Sequence, residues 1–253
     1  MLNIISIIFG ALVGSFLNVC IFRLPKGESI IWPGSHCPHC KKPIRFYDNI
    51  PLISYLLLKG KCRYCKGSIS LQYFLVEGIT ALSSLFLIIK FGPSLSYLFY
   101  FAFVAALIVI TVIDLYHQII PDAISLPGIG VGLLASLVLP GITFWNSLVG
   151  ALLGGGSLFI VATVYQWLFK REGMGGGDVK LLAMIGAFLG WKAVILTILL
   201  SSFIGSLVGI LMILVKGKDF KYAIPFGPFL AAGAVISLAC GGEIIRWYLN
   251  LNR

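Results

Sequence analysis

The sequence has few charged residues. Asp, Glu, Lys and Arg make up 11% of its 253 residues, whereas hydrophobic residues make up 59% and the mean hydropathy is +1.01. Soluble domains average about 25% charged and about 45–50% apolar residues. A chain of this length could not bury so much apolar surface inside a water-soluble core. The composition therefore excludes an ordinary soluble protein and indicates that lipid is the main solvent.

Histidines and acidic residues are scarce as well. The three histidines are His36, His39 and His117, and none is a convincing base for a serine, so a Ser-His triad is not expected. The chain has nine carboxylates. Because an ionisable group at membrane depth costs free energy, each acid beside an apolar segment is a candidate functional residue.

The apolar residues are grouped in long segments. A transmembrane helix needs about 20 mostly apolar residues, and the sequence predicts an all-α polytopic membrane protein with about eight such helices, at 3–22, 72–90, 97–115, 123–140, 145–169, 179–190, 193–215 and 226–248. The sixth is short and joins the seventh through Gly190 and Trp191. Glycines four residues apart, such as Gly10 and Gly14, predict close helix packing in lipid. The first segment lacks the features of a cleaved signal peptide, and we expect it to be retained.

Basic residues indicate the orientation of these helices. Nine of the nineteen Lys and Arg residues lie in segment 23–71, and six more lie near 170–180 and 216–221. Cytoplasmic loops carry such an excess, so eight spans would place these loops in the cytoplasm and both chain ends outside. The same alternation brings Asp114, at the end of the third span, and Asp178, at the start of the sixth, to one membrane face. The net charge of +10 is explained by these loops, and we predict no nucleic-acid partner.

Segment 23–71 contains two C-x-x-C pairs. Cys37 and Cys40 form the first pair, and Cys62 and Cys65 form the second. This spacing is typical of a four-thiolate structural zinc site, and basic neighbours would favour the thiolate forms. Two local disulfides or redox pairs are the alternative, which a cytoplasmic location disfavours. His36 and His39 are expected to be bystanders, because four cysteines already complete the site.

Asp114 and Asp178 are candidates for an aspartic protease pair. Two carboxylates held close together share a proton, so that one activates water while the other protonates the leaving amide. Asp178 follows the glycines Gly175, Gly176 and Gly177, which would allow close backbone approach. Alternatively, Asp178 pairs with Lys170 or Lys180, or either acid caps a helix. Charge placement alone does not decide between these interpretations.

Three further features surround these acids. Asp122 is expected first as the N-cap of a helix that begins at Ala123, with membership of the pair as its alternative. Glu77 lies one turn into the second span and could face the same cytoplasmic cavity. The segment Pro225-Phe226-Gly227-Pro228 predicts a break in the chain before the last span, where it could line the cleft.

Taken in order, these motifs resemble the bacterial type IV prepilin peptidase (leader peptidase/N-methyltransferase) family of G-x-G-D intramembrane aspartic proteases. The resemblance covers nearly the whole chain and rests on Gly14-Ser15-Phe16-Leu17-Asn18-Val19, Arg23-Leu24-Pro25, both cysteine pairs, Tyr47-Asp48-Asn49-Ile50-Pro51, Glu77, Asp114, Pro121-Asp122 and Gly173-Met174-Gly175-Gly176-Gly177-Asp178-Val179-Lys180.

The resemblance implies that Asp114 and Asp178 are catalytic, with Gly175, Gly176, Gly177, Asp122, Lys180 and Glu77 in support. It implies cleavage of prepilins or pseudopilins at the cytoplasmic face of a bacterial inner membrane, after the glycine that ends a short basic leader. It also implies S-adenosylmethionine-dependent methylation of the new N-terminus, although 23–71 has no glycine-rich Rossmann fingerprint.

The expected organisation is a first transmembrane helix (1–22), a cytoplasmic zinc domain (23–71) and a peptidase bundle (72–253). Two other functions fit the same composition. One is a transporter or channel whose zinc-bound domain docks a partner, and the other is a membrane methyltransferase without protease activity.

Overall fold

The computed structural model describes residues 1–170, 175–216 and 224–251. Regular structure in these ranges is helical, apart from two isolated β-bridges that join His36 to Pro43 and Lys61 to Ser68. The α-helices are α1 (Leu2–Arg23), α2 (Ile53–Leu57), α3 (Leu71–Phe91), α4 (Leu95–His117), α5 (Asp122–Ala135), α6 (Phe144–Phe169), α7 (Gly176–Leu189), α8 (Trp191–Lys216) and α9 (Gly227–Leu251).

Six of these helices (α1, α3, α4, α6, α8 and α9) are long and apolar enough to cross a membrane. The all-helical, multi-pass prediction is therefore confirmed. The predicted spans at 123–140 and 179–190 correspond to α5 and α7, which have 14 residues each. A helix of that length extends about 21 Å, less than the roughly 30 Å of a hydrocarbon core. The count of eight complete spans is thus only approximate.

The predicted fourth segment is also too long at its C-terminal end. Helix α5 ends at Ala135. Beyond it, the N–H of Leu137 bonds to the carbonyl of Leu134, and the N–H of Val138 bonds to that of Ala135. These bonds reach back three residues, whereas those of an α-helix reach back four. The predicted junction of the sixth and seventh segments is confirmed: α7 ends at Leu189 and α8 begins at Trp191, with Gly190 at φ +80° between them.

The chain divides into two compact units, Met1–Val109 and Ile110–Arg253, and the boundary falls within α4. In the first unit α1 packs along α3. A Cβ atom on Gly10 would lie 2.8 Å from the Cα atom of Ala81, and one on Gly14 would lie 2.7 Å from the Cα atom of Glu77. The two glycines therefore allow the backbones of α1 and α3 to approach closely, as their spacing predicts.

In the second unit α7 packs against its neighbours along most of its length. Leu181, Leu182, Met184 and Ile185 are 0% exposed. A Cβ atom on Gly186 would lie 2.1 Å from the carbonyl oxygen of Gly150 on α6, so the two helices are in backbone contact there. This packing fixes the position of the first turn of α7, which carries Asp178.

Candidate active site and metal-binding cluster

Asp114 lies in the last turns of α4 and is 5% exposed. Its Oδ2 atom accepts a hydrogen bond of 3.0 Å from the backbone N–H of Gly227. Gly227 is the first residue of α9, where backbone N–H groups have no partner inside the helix. The start of α9 therefore supplies a donor and the positive end of a helix dipole to a buried carboxyl group.

A side chain at position 227 would not fit this arrangement. A Cβ atom there would lie 2.6 Å from Oδ2 of Asp114 and 3.4 Å from Cδ1 of Ile120. The predicted break before the last span is confirmed, since α9 begins within Pro225-Phe226-Gly227-Pro228. The sequence did not reveal the specific contact, because a backbone N–H has no residue-type signature.

Asp178 lies in the first turn of α7, three residues after the helix cap Gly175. Its side chain is half-buried. The preceding residue, Gly177, packs against Ile120, and Ile120 also lies beside Gly227, the residue that contacts Asp114. Both acids belong to the second compact unit. The fold thus brings together two carboxyl groups that are 64 positions apart in the sequence.

The three glycines before Asp178 differ in their surroundings. A Cβ atom on Gly177 would lie 2.8 Å from the Cβ atom of Ile120, whereas one on Gly176 would meet nothing within 4 Å and one on Gly175 would meet only an atom at 4.0 Å. Close approach therefore requires glycine at 177 and not at 175 or 176. Ile120 faces both Gly177 and Gly227, a role that the sequence alone did not suggest. Gly173 and Met174 of the motif lie outside the described residues.

Asp122 and Lys180 form an ion pair between α5 and α7. The Lys180 Nζ atom lies 2.7 Å from Oδ1 and 2.8 Å from Oδ2 of Asp122. The expected N-cap role of Asp122 is wrong: α5 begins at Asp122, Pro121 is the N-cap, and there is no side-chain cap bond. The carboxylate instead reaches across to α7, and Lys180 pairs with Asp122 where the sequence had suggested Asp178 as one option.

Glu77 lies in the first compact unit and is 8% exposed. Its Oε2 atom accepts a hydrogen bond of 2.7 Å from the backbone N–H of Leu52, and its Cα atom lies against Gly14 of α1. Glu77 therefore connects α3 with α1 and with the segment that precedes α2. Its expected supporting role at the aspartates stays a prediction.

The four cysteines of segment 23–71 meet in one cluster. The Sγ atoms of Cys37, Cys40, Cys62 and Cys65 all lie within 4.8 Å of one another, and those of Cys37 and Cys65 are 3.8 Å apart. A tetrahedral zinc ion with Zn–S bonds of about 2.3 Å holds its sulfur atoms about 3.8 Å apart. The cluster can therefore bind a metal ion, and its donor set suits zinc. All four cysteines are free thiols, not disulfides.

The two halves of the cluster have the same local structure. The N–H of Lys41 bonds to the carbonyl of Cys37, and the N–H of Lys66 bonds to the carbonyl of Cys62. Both lysines are left-handed, at φ 59° and 57°. Each C-x-x-C-K segment is thus a tight turn, and the β-bridges His36–Pro43 and Lys61–Ser68 close the two turns at equivalent positions.

The two thiols of the second pair have different electrostatic surroundings. Hydrogen bonds from the backbone N–H groups of Cys65 and Tyr64 lower the pKa of the Cys62 thiol to about 6, which favours its thiolate. A backbone hydrogen bond at Gly67 acts in the same direction on Cys65, but burial and hydrogen bonds with the other thiols outweigh it and raise the pKa of Cys65 to about 11. Beside the cluster, Arg63 donates to both carboxylate oxygens of Asp48 and lowers the pKa of Asp48. The cluster found among the described residues contains the four cysteines and neither His36 nor His39, as expected.

The fold and these two sites define a multi-pass membrane protein with a buried and a half-buried carboxyl group in one unit and a cysteine cluster that can hold a metal ion in the other. Two family profiles match the chain: the bacterial peptidase A24 N-terminal domain over residues 8–91, and the type IV leader peptidase family over residues 101–210. The first range includes the cysteine cluster and Glu77, and the second includes Asp114 and Asp178.

Curated relatives extend the match to nearly the full length. Proteins named prepilin leader peptidase/N-methyltransferase from Aeromonas hydrophila and Pseudomonas aeruginosa are 38% and 39% identical, over 96% and 97% of this chain and 92% of each relative. One from Neisseria gonorrhoeae is 35% identical over 97% of this chain and 94% of its own length. No solved structure matches the chain significantly. The chain belongs to the type IV leader peptidase family, which confirms the resemblance seen in its motifs.

Proposed function

We propose that this protein is a membrane-embedded aspartic endopeptidase that removes the leader of type IV prepilins or pseudopilins and N-methylates the new N-terminus. The function rests on membership of the family and on near full-length similarity to relatives named for both activities. The observation that supports the catalytic assignment is the packing of Ile120 against both Gly177, the neighbour of Asp178, and Gly227, whose N–H bonds to Asp114.

The proposed peptidase chemistry uses the two carboxyl groups as a pair that shares one proton. The ionised partner removes a proton from water, and the water oxygen then attacks the carbonyl carbon of the glycine that ends the leader. The protonated partner donates its proton to the amide nitrogen as the peptide bond breaks. The N–H of Gly227 holds one oxygen of Asp114 in place, so that its other oxygen faces the reacting water in a fixed orientation.

The cysteine cluster would hold a structural zinc ion through Cys37, Cys40, Cys62 and Cys65. Four thiolates leave no open coordination position, so the metal would stabilise the module and take no part in cleavage. We place this module, the basic loops and the scissile bond on the cytoplasmic side of a bacterial inner membrane, with both chain ends outside, because basic residues are concentrated in these loops.

S-adenosylmethionine would supply the methyl group for the second activity. In the first unit a cavity of about 300 Å³ lies between α1 and the loop that contains Ser35, with Ser15, Arg23 and Asn49 among its polar lining residues. That volume is at the lower end of the range for small-molecule sites. Arg23 donates to the carbonyl groups of Ser29 and Pro33, which holds the loop against α1. We assign the methyl donor to this cavity.

The decisive experiment replaces each catalytic acid separately. Asp114→Asn and Asp178→Asn should reduce leader removal from a co-expressed prepilin in membranes by at least about 10²–10⁴-fold, the usual contribution of a general acid or base. Glu243→Gln, at an exposed acid on α9, is the matched control and should cleave normally. Normal leader removal by both aspartate variants would contradict the assignment of Asp114 and Asp178 as catalytic. If the unsubstituted protein methylates the N-terminus of a precleaved substrate, measured by mass spectrometry, but does not cleave the precursor, it is a methyltransferase without protease activity.

A further inference from the structure

A second cavity lies in the unit that contains the aspartates. It has a volume of about 330 Å³ and opens at the surface where α8 approaches the start of α9. Three small residues of α8 and three apolar residues at the start of α9 line it: Ser202, Gly205, Ser206, Ile224, Phe226 and Phe229.

This cavity is adjacent to Asp114 through the backbone. Phe226 and Phe229 line it, and between them lies Gly227, whose N–H bonds to the Asp114 carboxyl group. Consecutive Cα atoms are about 3.8 Å apart. The cavity wall therefore lies within one or two residues of Gly227, whose N–H contacts the proposed catalytic acid Asp114.

Helix α8, which forms one wall of the cavity, is apolar and largely exposed. Only 6% of the most apolar stretch of α8 is buried inside the protein, and Phe203 and Leu207 on this helix are 70% and 60% exposed. A Cβ atom on Gly205 would lie 3.4 Å from the Phe229 ring, so a larger residue at 205 would occupy space that the cavity now offers.

We propose that this cavity is a specificity subsite that binds an apolar side chain of the precursor's membrane segment next to the scissile bond. The proposal rests on Asp114 being catalytic. The two phenylalanine rings provide an apolar wall, and the small residues of α8 leave room for a side chain that arrives from the lipid. A lipid acyl chain fits the same chemistry, but the position beside Gly227 favours the substrate.

Photo-cross-linking tests the contact directly. The full-length protein would carry p-benzoylphenylalanine in place of Ser206, which lines the cavity, or in place of Leu207, the exposed neighbour on the same helix. Both would be made in the Asp178→Asn background and co-expressed with an uncleaved prepilin. We expect a cross-link to the precursor at 206 that exceeds the one at 207 at least tenfold. Equal yields, or adducts with lipid alone at 206, would overturn the proposal.

A kinetic experiment tests the size of the subsite. Gly205→Leu should lower kcat/KM about 10–100-fold for a precursor with a phenylalanine directly after the leader glycine, and much less for one with alanine there. Gly156→Leu is the control, because a Cβ atom at Gly156 meets nothing within 4 Å. An equal loss for both precursors would contradict the subsite. Cleavage by Asp178→Asn would instead refute the catalytic pair. The cross-link would then be measured with a precursor whose leader glycine is replaced, which stays uncleaved and still reports on the cavity.

Discussion

In the cysteine cluster each pair of ligands comes from one tight turn, Cys37 with Cys40 and Cys62 with Cys65. In the aspartate site Asp114, Asp178 and Gly227 come from three helices, 64 and 49 positions apart along the chain. The cluster is held by hydrogen bonds within each turn. The aspartates are held by the packing of α7 and by one backbone N–H at the start of α9.

Because of this difference, the two sites should be sensitive to different kinds of substitution. The cluster depends on four side chains whose loss removes a metal, and its local turns need no distant partner. The aspartate site depends on positions that must stay small, so that added methyl groups would damage it even where no polar atom is lost. Substitutions in the cysteine cluster should therefore change the zinc content, whereas substitutions at the aspartate site should change the rate of cleavage.

The largest expected effect is on metal content. Cys37→Ser combined with Cys62→Ser removes one ligand from each turn, and we expect bound zinc in the purified protein to fall from about one per chain to near zero. The module should also become more sensitive to proteolysis. Cys20→Ser combined with Cys240→Ser, which changes two free cysteines outside the cluster, should leave the zinc content unchanged. Zinc retained by the first variant, measured by elemental analysis, would contradict the four-cysteine site.

The second-largest effect is expected at the close contact between Gly227, at the start of α9, and Asp114. Gly227→Ala would place a methyl group 2.6 Å from Oδ2 of Asp114, so the carboxyl group or the helix must move. A displacement of about 1 Å at a catalytic group can cost about 10²-fold in rate. We expect a loss of about that size in kcat for prepilin cleavage, with a small change in KM and an unchanged zinc content. Gly242→Ala on the same helix, where a Cβ atom meets nothing within 4 Å, should cleave normally. Normal cleavage by Gly227→Ala would show that this contact does not position Asp114.

The same contrast explains what sequence reasoning could predict. The C-x-x-C spacing determines a local turn, so the approach of the two thiols within each pair was predictable from residues close in sequence, although the left-handed lysines Lys41 and Lys66 were not. The meeting of the two pairs was expected only from the zinc site that their spacing suggests. The proximity of Asp114 and Asp178 depends on how α4 and α7 pack. Charge counting could place both acids near one membrane face, but it could not bring their carboxyl groups together.

Other features left no signal in the residue types. The Gly227 contact uses a backbone N–H, and the need for glycine at 177 but not at 176 depends on where Ile120 packs. Asp122 was expected to be a helix N-cap because Asp is preferred at that position, yet α5 includes it and its carboxylate binds Lys180. Hydropathy also extended the fourth segment to 140, because apolar residues continue through the turns after Ala135.

A bulky residue in the cavity of the first unit should separate the two activities. Ser35→Trp would fill the site that we assign to the methyl donor, and we expect N-methylation of the cleaved product to fall tenfold or more while leader removal stays near normal. Ser68→Trp is matched in residue type and lies on the other cysteine turn, outside the cavity; it should leave methylation intact. Mass spectrometry of the product N-terminus measures both leader removal and N-methylation. Equal methylation by the two variants would show that the methyl donor does not bind in this cavity.

The smallest effect is expected at the ion pair between α5 and α7. The Lys180 and Asp122 side chains are 37% and 57% exposed, and exposed ion pairs contribute less than about 1 kcal/mol. We therefore expect Lys180→Met to reduce cleavage less than about fivefold, with Asp122→Asn similar and the double variant no worse than either alone, because both remove one interaction. Additive losses in that cycle would mean that Lys180 or Asp122 contacts the substrate. A loss as large as that of Asp178→Asn would add one of them to the catalytic pair that we propose, Asp114 and Asp178.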